Sequence, residues 1–98
     1  MHVISRKKIA DFSANHPDAK TALETWYRIV RTTNFRNSAH LRSVFPSADP
    51  VGNLTVFNIG GNKYRLIAAI HYNRKKVYIR HILTHTEYDR NIWKRDIP

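Results

Sequence analysis

The sequence contains no cysteine. That excludes a disulfide framework, a thiolate-ligated zinc or iron–sulfur centre, and thiol catalysis. No segment approaches the ~18 uninterrupted apolar residues of a membrane-spanning helix, so no membrane partner is expected. The opening Met1-His2-Val3-Ile4-Ser5-Arg6-Lys7-Lys8 lacks the apolar stretch of a secretory signal, and a cytoplasmic location is expected. Carboxylates are also scarce. Seven Asp and Glu stand against seventeen Lys and Arg, and from Val51 through Thr86 there is no acidic residue. A two-metal nuclease needs several carboxylates to hold its cations. The six histidines form no His-Glu-x-x-His pattern, and neither a metal nor another cofactor is expected. Only three glycines occur, and the Gly60-Gly61-Asn62 group lacks the pattern of a phosphate-binding loop.

What is present is enough for one compact domain. The chain has 98 residues, 42% of them hydrophobic, and shows no internal repeat. Its formal net charge is +10, and the acid-free stretch carries Lys63, Arg65, Arg74, Lys75, Lys76 and Arg80. A surface of that sign concentrates polyanions, most simply nucleic acid.

The first half of the chain reads as helical. Ile4 to Ile9 has the form of a helix start, with Ser5 as N-cap and Ile4 and Ile9 as a hydrophobic staple. This helix is expected to end near Asn15, before Pro17. A second helix opens at Pro17, and Ala19, Ala22, Leu23, Trp26, Tyr27 and Val30 repeat at helical spacing. Trp26 and Tyr27 therefore belong to the core and not to a base-stacking platform. Asn37 to Val44 is expected to make a short helical turn, and Phe45 to Pro50 a loop.

From Leu54 the hydrophobic period changes to two. Leu54–Ile59, Tyr64–Tyr72 and Val77–Leu83 read as consecutive antiparallel strands, giving an α+β domain. Gly60-Gly61-Asn62 and Asn73-Arg74-Lys75-Lys76 supply the turns. If Tyr72 pairs with Val77, the core face holds Leu66, Ala68 and Ile70 with Val77, Ile79, His81 and Leu83, and His81 is structural. The opposite face then holds Arg65 across from Thr84, with Asn58 on its other side. Arg80 lies about 13 Å further along that face.

Thr84-His85-Thr86-Glu87 has the form of a capping box, which makes His85 the first residue of a final helix. Tyr88 and Asp89 then follow at i+3 and i+4 on the same side. A histidine at a helix start fits a structural role as well as a catalytic one. With Arg65 opposite and Tyr88 one turn on, it becomes a candidate to move a proton.

Val56-Phe57-Asn58-Ile59-Gly60-Gly61-Asn62-Lys63-Tyr64-Arg65-Leu66, Tyr78-Ile79-Arg80 and Thr84-His85-Thr86-Glu87-Tyr88-Asp89 resemble the HigB family of RelE-like toxins. The resemblance extends to the opening Met-His-Val-Ile and to Val44-Phe45-Pro46-Ser47. It implies N-terminal helices on one face of a curved antiparallel sheet, a short C-terminal helix, and an RNA site on the other face. It also implies metal-independent cleavage of mRNA at the 30S A site of the ribosome, and a HigA-type helix-turn-helix antitoxin. Arg65 matches the strand arginine of the Tyr-Arg-Leu pattern, and His85 and Tyr88 match the Thr-His-x-Glu-Tyr motif. These three are the candidate catalytic residues; which of His85 and Tyr88 moves the proton stays open. Asn62, Lys63, Arg80 and Lys94 are the candidate RNA-binding residues. The other readings are a ParE-like inhibitor of gyrase that cuts nothing, and an RNA- or ribosome-binding module without catalysis.

Overall fold

The computed structural model describes residues 1–96. Its first element is a strand and not a helix start: β1 spans His2–Ile4 and pairs in parallel with β5 (Lys76–Thr84), Val3 opposite Val77. Ser5 follows with φ 74, so it turns the chain instead of capping it. Helix α1 runs Lys7–Asn15 behind Arg6, with no side-chain cap. The expectation failed because the partner of Val3 lies more than seventy residues away, beyond the reach of any local signal. The α-amino group of Met1 donates to the carbonyls of Val30, Arg31 and Thr33 at 2.9, 3.2 and 3.0 Å, satisfying the end of the following long helix.

That helix begins as a 3₁₀ turn at Pro17–Ala19 and continues as α2, Lys20–Thr32. Leu23, Trp26 and Val30 are buried on it as their spacing predicts, while Tyr27 is only half-buried. Helix α3, Ser38–Val44, is capped by Asn37, whose side chain accepts from the His40 amide at 2.8 Å. The loop expected over Phe45–Pro50 is shorter in fact. Asp49–Val51 forms β2, an edge strand antiparallel to β3 (Leu54–Ile59), and Pro50 is tolerated there because an edge strand has a free side. With β4 (Tyr64–His71) the sheet runs β1-β5-β4-β3-β2, antiparallel except at the β1–β5 edge.

Both sheet faces are covered. Phe57, Leu66, Ala68, Val77 and Ile79 pack under the α1–α2 layer with Leu23, Trp26, Val30 and Phe35. On the other face Leu54, Val56, Ile67 and Ala69 pack beneath Trp93, from a 3₁₀ segment at Ile92–Asp96.

The β4–β5 register differs from the sequence expectation in a way that matters for the site. Ile70 and not Tyr72 pairs with Val77, and the ladder closes at His71 opposite Lys76. A bulge between Ile67 and Ala68 then leaves Arg80 as the extra residue of β5, with Ala68 opposite Ile79 and Ile67 opposite His81. One inserted residue exchanges the faces of everything after it. Ile82 joins the helix-side core, whereas Leu83 joins the cluster under Trp93. His81 therefore sits on the Arg65 face, partly exposed, and is not the core histidine expected from strict alternation.

Candidate active site

The site is built where β4 begins and β5 ends. Asn58 lies opposite Arg65, as expected, but Arg65 faces Leu83; Thr84 is opposite Tyr64. Thr84 instead turns the chain into helix α4, His85–Asp89, through a complete capping box. Its hydroxyl accepts from the Glu87 amide at 3.2 Å, and the Glu87 carboxylate accepts from the Thr84 amide at 3.0 Å. That second bond is the main reason the Glu87 carboxyl lies below the usual carboxylate range. The His85 amide donates to the carbonyl of Lys63 at 3.1 Å. The start of the helix is thus stitched to the start of β4, which brings the Thr-His-x-Glu-Tyr segment beside Arg65.

Arg65 is held by its own backbone surroundings. Its Nη1 donates to the carbonyls of Asn62 and Tyr64 at 3.2 and 3.1 Å, and its guanidinium carbon lies 5.4 Å from the centroid of the Tyr88 ring. The Tyr88 ring stacks on Trp93 at 5.2 Å and 12°, and the Trp93 indole N–H donates to the Tyr88 carbonyl at 3.1 Å. One face of the phenol is therefore occupied by protein and is not open to a base. The imidazole of His85 is exposed, and its Nδ1 lies 2.9 Å from a carboxylate oxygen of Asp89 one turn on. With Nδ1–H donating to Asp89, Nε2 is the nitrogen left to exchange a proton.

The four candidate RNA-binding residues are dispersed around this junction. Asn62 is in the β3–β4 turn, and its carbonyl positions Arg65. Lys63 points away from the site: its Nζ lies 3.5 Å from Asp18, whose other oxygen accepts from the Tyr64 hydroxyl at 2.6 Å. Arg80 is exposed at the bulge. Lys94 is exposed on the last 3₁₀ segment, its Nζ 5.8 Å from the Trp93 ring centroid. Of the apolar pair at its start, Trp93 is buried at 3% exposure while Ile92 stays 55% exposed.

Two contributors carry no role in the sequence reading. Asp89 was visible only as the i+4 neighbour of His85. Asp18 reads locally only as an acid at a helix start, because its partner Tyr64 lies 46 positions away in sequence. Among the described residues no three His, Asp or Glu side chains converge to hold a metal ion.

The arrangement can do acid–base chemistry next to a fixed cation. A guanidinium braced on main-chain carbonyls suits a charge that builds on a phosphoryl oxygen, and an imidazole with one nitrogen anchored suits proton transfer at the other.

Comparison with known proteins points the same way. Residues 19–91 match the HigB toxin family, described as the RelE-like toxic component of a toxin–antitoxin system. The mRNA interferase toxin HigB of Escherichia coli strain K12 is 37% identical over 92 residues, covering 91% of this chain and 88% of the relative. The mRNA interferase HigB of Shigella flexneri matches to the same extent, and that of Escherichia coli O6:H1 is 32% identical over 93 residues, covering 92% and 90%. On the family match and on identity above 30% across nearly the whole length, the chain belongs to the HigB family of RelE-like toxins.

Proposed function

We propose that the chain is an mRNA interferase that cuts by internal attack of a ribose 2′-hydroxyl on the adjacent phosphate. A new bond forms from the 2′-oxygen to phosphorus, the bond to the 5′-oxygen breaks, and the products are a 2′,3′-cyclic phosphate and a 5′-hydroxyl. One group takes the 2′-proton and another delivers a proton to the leaving 5′-oxygen. His85 Nε2, with Nδ1 anchored on Asp89, suits one of these roles, and the Tyr88 hydroxyl suits the other. Arg65 stabilises the charge on the non-bridging oxygens. The observation that carries this reading is the junction itself: Arg65 against Tyr88, with His85 pinned by its amide to Lys63.

Asn62, Lys63, Arg80 and Lys94 flank the junction and suit the RNA backbone, Lys63 after exchange of its Asp18 partner. The family placement supports restraint by a HigA-type helix-turn-helix antitoxin and action in the cytoplasm on mRNA in the 30S A site. No helix among the described residues is long and apolar enough to cross a membrane.

The deciding experiment uses translated mRNA with a single 2′-deoxy nucleotide at the cleavage position. Cutting at that position is lost, while the unmodified transcript is cut there. Cleavage of the deoxy substrate would overturn the mechanism.

A further inference from the structure

Across the sheet from Arg65, α1 and α2 enclose a groove of about 460 Å³. Its lining includes Ile9, Ala10, Ala14 and the ring of Tyr27. Ser13 also lines it, and its hydroxyl oxygen is buried with no hydrogen-bond partner. Around the mouth stand Arg6, Lys7 and Lys20, against one acid, Glu24. The apolar lining is what a protein side chain fills and a phosphate backbone leaves empty. The Tyr27 ring, moreover, already has the Arg6 guanidinium 4.5 Å from its centroid and that of Arg31 at 5.9 Å, so it is poorly placed to stack a base.

We propose that this groove is a docking site for an acidic amphipathic helix of the antitoxin. It rests on the reading of the chain as a toxin restrained by a protein partner, and not on the chemistry assigned to the Arg65 junction. Ala10 and Ala14 are exposed one turn apart on α1, so a partner helix can approach closely along that side. Its apolar residues enter between Ile9 and Tyr27, and its carboxylates meet the three cations at the mouth. Helix-in-groove recognition of this kind is read by anchors at i, i+3 or i+4, with charge fixing the register. The groove lies on the helix layer, so a partner seated there leaves the Arg65 junction uncovered unless another part of it reaches around the sheet.

The test titrates the purified antitoxin into the toxin by calorimetry. The Ala10→Glu/Ala14→Glu pair places carboxylates at exposed helix positions and is expected to weaken binding at least about tenfold. Lys20→Glu, at the opposite wall, is expected to weaken it by a similar factor and serves if the pair fails to fold by circular dichroism. Arg74→Glu, in the β4–β5 turn, leaves affinity unchanged, and all folded variants keep their toxicity in the absence of antitoxin. Wild-type affinity in the groove variants would overturn the site. Retained antitoxin affinity with weakened RNA or ribosome binding would reassign the groove to nucleic acid and also overturn it. If the unmodified toxin does not bind the antitoxin, the partner fails along with the groove.

Discussion

Arg65 has both its position and its orientation fixed before any substrate arrives. Two carbonyl oxygens, of Asn62 and Tyr64, hold Nη1, and the phenol of Tyr88 lies beneath the guanidinium. Preorganised donors of this sort typically lose about 10²–10³ in kcat when removed. Arg65→Ala is accordingly expected to cut single-turnover cleavage by about that factor; a loss under about fivefold would remove Arg65 from the chemistry. Asp89 acts on a different atom. Its carboxylate holds Nδ1 of His85, so its effect runs entirely through the imidazole. His85→Gln is expected to cost about 10²–10⁴ in rate, the range of a single proton-transfer group. Asp89→Ala alone costs part of that, and added to His85→Gln it costs nothing further, because residues that act as a unit are not additive. Single-turnover rates of the four proteins settle the point, and a full independent loss in the double variant would detach Asp89 from His85.

Helix α4 is only five residues long, too short to be stable on its own, so its cap and the packing behind it decide whether the site exists. Thr84→Ala removes the acceptor for the Glu87 amide and is expected to lower stability by about 1 kcal/mol, measured by chemical denaturation. The other half of the box gives a pH signature. Because the Glu87 carboxyl is held below its usual range in the folded chain, the unfolded chain binds more protons between the two values. The contribution of Glu87 is therefore complete above the ordinary carboxylate value and is lost as pH falls through the lowered one. Thermal melts on acidification are expected to drop less steeply for Glu87→Gln than for the native chain; parallel curves would mean that the carboxylate adds nothing. This helix was legible from sequence, since Thr84 and Glu87 advertise their contact within three residues. So were Trp26 on α2 and the Asn58–Arg65 pairing, which a Gly-Gly turn places directly. The bulge at Arg80 was not legible. Alternation in β5 runs smoothly through Ile79, Arg80 and His81, and only the pairing with Ile67 and Ala68 reveals that one residue is surplus. β1 was hidden for a related reason: its three residues become a strand only by lying beside β5.

At the scale of the whole molecule, the charge of +10 is less uniform in its use than in its composition. The cations assigned to the substrate divide into two kinds. Among the described residues Arg65, Arg80 and Lys94 form no ion pair with a carboxylate, whereas Lys63 lies 3.5 Å from Asp18, itself tied to Tyr64. A cation already answered by a carboxylate releases fewer counterions when a phosphate takes its place. Binding to single-stranded RNA changes with salt by about 0.7 in log–log slope for each phosphate neutralised. Three unanswered cations therefore give a slope of about −2.1, and four would give about −2.8. An RNA blocked by a 2′-deoxy nucleotide lets binding be measured without turnover. The native chain is expected near the shallower value and Asp18→Asn nearer the steeper one, with tighter binding at low salt because Lys63 is set free. Two equal slopes would mean that Lys63 never reaches the RNA. A slope near zero for the native chain would mean that its basic face binds something other than a phosphate backbone.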